Sequence, residues 1–184
     1  MNKLLAGIVV LSMLSVVSSA HAWSLDAARS TLGFSGSYQG EAFQGRFKRF
    51  EAKTLDYDPA HLDAAKFDVT IGIASIDTAN AERDKALPGD AFFDTAKFPQ
   101  ARFVSTRFRK DANGQVLADG TLTLRGVGKP VTLTVAFDPA HATLDVAATL
   151  HRLDFGIGSG DWADTSMIGN DVGVRAHLVL TSAK

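Results

Sequence analysis

Cysteine is absent from all 184 residues. That excludes disulfides, thiolate metal sites, cysteine nucleophiles and a lipid-modified cysteine at a cleavage point. Charge of one sign is also lacking, since 19 basic and 20 acidic residues leave a formal net charge of −1. The basic residues have acids among them, as where Glu51 follows Arg46, Lys48 and Arg49. No basic stripe is presented to nucleic acid. Tyrosine and tryptophan are scarce, two of each against twelve phenylalanines. Phenylalanine carries no polar atom, so it lines or fills a dry space.

Catalytic signatures are missing as well. No Gly-x-Ser-x-Gly elbow and no His-Glu-x-x-His pattern occurs. His61 and His141 lie in Asp-Pro-Ala-His turns, and His151 and His177 fall in β-rich runs with no carboxylate at a recognisable ligand spacing. The expectation is a chain without a catalytic site, metal site or cofactor.

An export signal is present. Lys3 precedes an apolar run from Leu4 to Val17, and Ala20 and Ala22 form the small-x-small pattern that a signal peptidase cuts after. The run is too short to span a bilayer and no second one follows. Residues 1–22 are therefore expected to be a cleaved signal peptide, with residues 23–184 forming one domain. Removing Lys3 leaves 18 basic and 20 acidic residues, a formal −2. Without disulfides, such a domain must be held by its own core.

Period-two alternation dominates that domain and marks strands with one buried and one wet face. It is clearest at Phe67, Val69, Ile71 and Ile73. It recurs at Val131–Phe137, at Leu144–Leu150, and from Val172 to Leu180. Weaker runs cover Thr31–Tyr38, Glu41–Tyr57 (bent at Arg49, where the apolar parity slips), Ala101–Lys110 and Val116–Arg125. The total is about eight strands. Turns are predicted at Asp58-Pro59, Asn113-Gly114, Gly126 to Pro130, and Asp138-Pro139. Short helical turns are predicted from Asp58 to Ala65, from the cap Asn80 through Leu87, and over Asp90–Lys97. Eight antiparallel strands satisfy either a sandwich or a barrel, and closing the sheet removes exposed edges.

The inward parity of this pattern gives a wall of Val, Leu, Ile and Phe. Small residues at inward positions (Gly36, Ala118, Gly120, Ala148 and Ala176) either leave a hollow or pack beneath phenylalanines. Arg152 also has inward parity, where an unpaired charge is costly. Two readings stand: an ion pair with Asp154 or Asp84, or an anchor for a polar head group. The glycine-dense stretch from Gly156 to Trp162 reads as a flap over the barrel mouth or, with less support, a phosphate-binding loop.

The stretch Ala74–Asp84, then Leu87, Asp90–Asp94, Phe98-Pro99 and Phe103, resembles the central signature of the YceI-like family. Gly120–Leu133 and Arg152–Ile157 look like its second and third signatures, in order along the mature chain. The resemblance implies an all-β, eight-stranded antiparallel, lipocalin-like barrel with one or two short helices, exported to the periplasm. It further implies a polyisoprenoid or related lipid in the interior. Relatives occur fused to, or encoded beside, cytochrome b561-type membrane proteins, which makes an isoprenoid quinone a reasonable ligand and such a cytochrome a candidate partner. One departure stands out: many members have Arg-Asp-x-His-Leu, and here the fourth position is Ala86.

The functional expectation is thus a periplasmic carrier of a long apolar ligand. Phe34, Phe67, Ile71, Phe103, Leu133, Val135 and Leu178 are its expected wall, with Phe92, Phe93, Trp162 and Arg152 at the mouth. The rival expectation is a non-catalytic accessory of a membrane redox system whose barrel is solid. The oligomeric state stays open, a homodimer included.

Overall fold

The computed structural model describes residues 22–183. The predicted signal peptide lies outside them, apart from Ala22. Strand β1 (Trp23–Leu25) is followed by β2 (Thr31–Tyr38), β3 (Glu41–Phe47), β4 (Phe50–Asp56), β5 (Lys66–Gly72) and β6 (Ile76–Asp77). After helix α1 (Ala81–Ala86) come β7 (Gln100–Lys110), β8 (Val116–Leu124), β9 (Val127–Asp138), β10 (Thr143–His151) and β11 (Asp171–Ser182).

All pairings are antiparallel, in the order β4-β5-β7-β8-β9-β10-β11-β2-β3-β6. The first and last members of that path meet again, because β3 and β4 are halves of one strand broken at Lys48 and Arg49. β6 and β5 are likewise halves of its partner, as the registers Phe47↔Ile76 and Phe50↔Ile71 show. The ring therefore has eight strand lines: β2, β3–β4, β5–β6, β7, β8, β9, β10 and β11. β1 pairs with β11 and lies beside β4 through an Ala22–Asp56 bridge, covering the seam where β4 has left β2.

The break in the long strand has a local cause. Phe47 and Phe50 both turn inward although they are three residues apart, so the chain must kink between them. A 3-10 turn at Ile73–Ser75 fits the kink. Ser75 donates its hydroxyl to the Gly72 carbonyl (2.6 Å) and accepts the Arg49 N–H (2.9 Å). A β-bulge between Ser105 and Arg107 does the same for β7, letting Phe103 and Phe108 both face the interior.

Two predicted turns differ from the structure. Gly126 to Pro130 is not a loop: Arg125 and Gly126, both with positive φ, form a two-residue turn, and β9 runs on through Pro130. Pro130 is tolerated because β9 pairs only with β8 there, its pairing with β10 being confined to Thr134–Asp138. The helical turns predicted at Asp58–Ala65 and Asp90–Lys97 are hydrogen-bonded turns without a helix, so α1 is the α-helix among the described residues. Its cap is as the sequence indicates, with the Asn80 side chain accepting the Arg83 N–H at 2.9 Å.

The barrel interior is filled at one end and hollow at the other. In the filled end Tyr57, Phe67, Phe108 and Phe137 stack edge and face with centroids 4.8–6.1 Å apart, backed by Val135, Leu144, Leu178 and Leu180. The opposite ends of the same strands surround open space.

Candidate ligand-binding site

The hollow end holds a cavity of about 460 Å³, within the roughly 300–1,000 Å³ common for small-molecule sites. Its wall comes from alternate residues of the strands: Phe34 on β2, Ile71 on β5, Leu122 and Leu124 on β8, and Val172 and Val174 on β11. Ladder pairing between β9 and β10 stops at Thr134 and Ala147, so the wall parts on this side. The 3-10 helix Arg152–Phe155 occupies the gap and buries Phe155, with Ile157 buried just after it.

Glycines on β2 and β3 make room for rings. Phe34 lies opposite Gly45 and Phe43 opposite Gly36. A Cβ on Gly45 would overlap the Phe34 ring, and one on Gly36 would come within 3.1 Å of Phe43. Gly120 likewise lies beneath Phe103. The small inward residues thus serve both sequence readings: glycines hold rings against the wall, and a hollow remains above them.

Two loops and α1 form the mouth. The loop before β7 brings Phe92 and Phe93, and the strap between β10 and β11 brings Trp162, whose ring lies 5.6 Å from that of Phe92. Arg125, on the β8–β9 turn, donates to the carbonyls of Gly156 and Asp90 and so ties strap and loop to the barrel. Tyr38 and Trp162 are each 39% exposed on the rim although both line the cavity.

Arg152 follows neither of its sequence readings. Its guanidinium is buried, with 5% of the residue exposed. It bonds no carboxylate, and all its N–H groups donate to backbone carbonyls. Nε reaches Gly169, one terminal nitrogen reaches Ile157 and Gly158, and the other reaches Trp162 and Ile168, at 2.6–3.1 Å. Burial pushes its pKa down from the usual value, yet a guanidinium remains the charged species. With every donor used, it cannot anchor a head group and instead organises the strap. The same geometry corrects the phosphate-loop reading: Gly156, Gly158 and Gly160 take positive φ, and the strap aims carbonyls, not N–H groups, at its centre.

Of the expected ligand-contacting residues, Phe34, Ile71, Phe92, Phe93, Arg152 and Trp162 line the cavity. Phe67, Phe103, Leu133, Val135 and Leu178 do not, and lie within or against the packed core. The correction has a plain origin: parity shows which face of a strand is inward, but not whether the interior is open at that height. Sequence reading missed Phe43, Phe47, Leu87 and Arg83, which also line the cavity. The first two lie in the bent strand where parity slips, and the others come from α1 and its end, where strand alternation carries no information.

His151 and His177 do not meet. Each bonds through Nδ1 to a cross-strand aspartate, Asp171 (2.8 Å) and Asp145 (2.7 Å). Their positions are six residues apart along one ladder, or roughly 20 Å.

Comparison with known proteins places this architecture. A model of the YceI-like domain matches residues 23–180. A UPF0312 protein of Shewanella denitrificans is 40% identical over 136 residues, covering 72% of this chain and 71% of its own. Protein YceI of Escherichia coli O157:H7 is 38% identical over 138 residues, again 72% and 71% of the two chains. Among solved structures, Burkholderia cenocepacia BcnA superposes with a TM-score of 0.79 at 30% identity, over 85% of this chain and 99% of that one. A polyisoprenoid binding domain from Saccharophagus degradans shares the fold at 20% identity, with a TM-score of 0.65 over 89% and 99% of the two chains. With the family signatures, the barrel and the match over residues 23–180 in agreement, the chain belongs to the YceI-like family.

Proposed function

We propose that this protein is a periplasmic, non-catalytic carrier that takes the tail of a long apolar molecule, of the polyisoprenoid class, into the hollow end of its barrel. The apolar cavity beneath an exposed rim carries this reading. A buried tail contributes about 0.8 kcal/mol per methylene, so an aliphatic and aromatic wall suffices for affinity. The Saccharophagus domain of the same fold, described as polyisoprenoid binding, supports the ligand class. The polar groups on the wall (Ser37, Tyr38, Asn80, Glu82, Arg83 and Arg152) include no histidine. The two arginines bond to backbone oxygens and to the Thr78 hydroxyl rather than to a nucleophile. A solid-barrel accessory protein would need the interior filled along its length, and only one end is.

The test is to express the full chain with its own leader and purify the periplasmic fraction without detergent. Native mass spectrometry is then followed by organic extraction. A stoichiometric adduct that extracts as a prenyl lipid, together with a rise in melting temperature of the delipidated protein on adding such lipids, is the expected result. A clean apo mass and an unchanged melting temperature would overturn the carrier reading.

A further inference from the structure

Two guanidinium groups line the cavity, and only one has donors to spare. Arg152 is saturated by backbone carbonyls. Arg83 is held differently. Its Nε donates to the Thr78 hydroxyl at 2.9 Å, and one terminal nitrogen makes a long 3.5 Å contact with the Thr78 carbonyl. Its guanidinium carbon lies 4.3 Å from the centroid of the Phe43 ring, itself part of the wall. Among the described residues no carboxylate forms an ion pair with it, and its second terminal nitrogen has no hydrogen-bond partner.

This arginine is fixed in place by a chain of contacts. Asp84 accepts both the backbone N–H (2.8 Å) and the hydroxyl (2.6 Å) of Thr78. That turns the hydroxyl's lone pairs toward the Nε of Arg83. The ring of Phe43 supports one face of the planar group, and Gly36 leaves that ring its space. An arginine held by its Nε and one face, with one terminal nitrogen in only a long contact, keeps its other terminal N–H groups free in a defined plane, the arrangement that binds carboxylate or phosphate oxygens. Glu82 is the one carboxylate on the cavity wall; its residue is exposed, and it makes no ion pair with Arg83.

We propose that Arg83 is the head-group residue of this cavity, binding an oxyanion, phosphate or carboxylate, carried on the end of an apolar chain. The inference rests on the carrier reading above and narrows it to anionic amphiphiles over neutral ones. Thr78 and Asp84 are positioning residues that act through Arg83.

The test compares farnesol, farnesyl monophosphate and palmitate by isothermal titration on the delipidated mature protein. The probes are titrated against the wild type, Arg83→Gln and Lys85→Gln. Lys85 is exposed on the same helix and does not line the cavity. The expected result is that the phosphate binds about ten- to a hundredfold tighter than the alcohol, as one charge-assisted hydrogen-bonded pair provides. Arg83→Gln removes that preference, and Lys85→Gln keeps it. Retained farnesol binding shows that the variant cavity is intact, and should that variant not fold, Arg83→Lys is read in its place and the wild-type ratio still tests the anionic preference. Palmitate binding as tightly as the phosphate identifies a carboxylate as an equally good head, and palmitate at farnesol's level restricts the site to phosphate. Equal wild-type affinities for phosphate and alcohol would overturn the head-group inference and leave the carrier reading standing. No binding of any of the three would remove both. A preference that survives Arg83→Gln would also overturn the assignment.

Discussion

Two glycines on the barrel wall hold neighbouring phenylalanine rings in ways that can be told apart by substitution. At Gly45 the atoms nearest an added Cβ belong to side chains, the Phe34 ring and, at 2.9 Å, the Thr78 methyl. At Gly120 it meets the Phe103 ring and also, at 2.5 Å, the Val104 carbonyl oxygen, which belongs to the sheet and cannot move aside. Both Gly45→Ala and Gly120→Ala should destabilise by about 1–3 kcal/mol, the usual cost of overpacking. Their rescue should differ. Adding Phe34→Leu to Gly45→Ala restores most of the loss in urea denaturation, whereas Phe103→Leu does not restore Gly120→Ala. A Gly120→Ala protein within about 0.5 kcal/mol of wild type would show that the wall is looser than drawn.

The strap between β10 and β11 is an element without regular secondary structure over most of its length, and Arg152 is the side chain that joins most of its stretches. Replacing Arg152 with methionine keeps the apolar stem but leaves five carbonyls from three stretches of the strap without their donor. At about 1–3 kcal/mol for each buried polar group left unpaired, and allowing for water reaching some of them, the loss should be at least about 3 kcal/mol. Limited proteolysis should then cut within residues 156–167, and Arg152→Lys, with three donors instead of five, should fall between. A methionine variant as stable and as resistant to protease as wild type would refute this account. The same strap shows where sequence reading reaches its limit. Strands with clear alternation were legible almost to the residue, as where the run Leu144–Leu150 is β10, Thr143–His151; the weaker run Thr31–Tyr38 is β2 as read, and Asn80 caps α1. The strap was recognised by its glycines, but its polarity was not. Whether carbonyls or N–H groups face inward depends on φ values that only the fold imposes. Likewise, parity identified inward residues such as Phe67 and Ile71 equally well, and only packing separates the first, inside the aromatic plug, from the second, on the cavity wall.

At the scale of the whole molecule, the hollow barrel leaves less buried apolar surface than a filled one, and part of the outer face is laced with ion pairs. Asp68 accepts from the Nε and one terminal nitrogen of Arg102 at 2.7 and 2.6 Å. Asp119 accepts from Arg107, Arg109 and Thr132 across three strands, and Asp77 from Arg46, with Lys48 2.9 Å away. Hydrogen bonds from these cations hold all three carboxyls below their ordinary values. The sign follows directly. A carboxyl with a lower pKa folded than unfolded, where it is about 3.9, contributes its stabilisation above the unfolded value and loses it as pH falls toward the folded one. Stability should therefore be nearly insensitive to these groups between pH 7 and 5 and decline below about pH 4. Salt should shrink the effect, since most of the cations are exposed. Asp119→Asn isolates the largest cluster: the variant should be less stable than wild type at pH 7, and the gap should narrow as both are taken from pH 5 toward pH 2. Urea midpoints measured at several pH values decide the matter. A gap that stays constant across that range would mean that Asp119 acts through packing and hydrogen-bond geometry rather than through its charge.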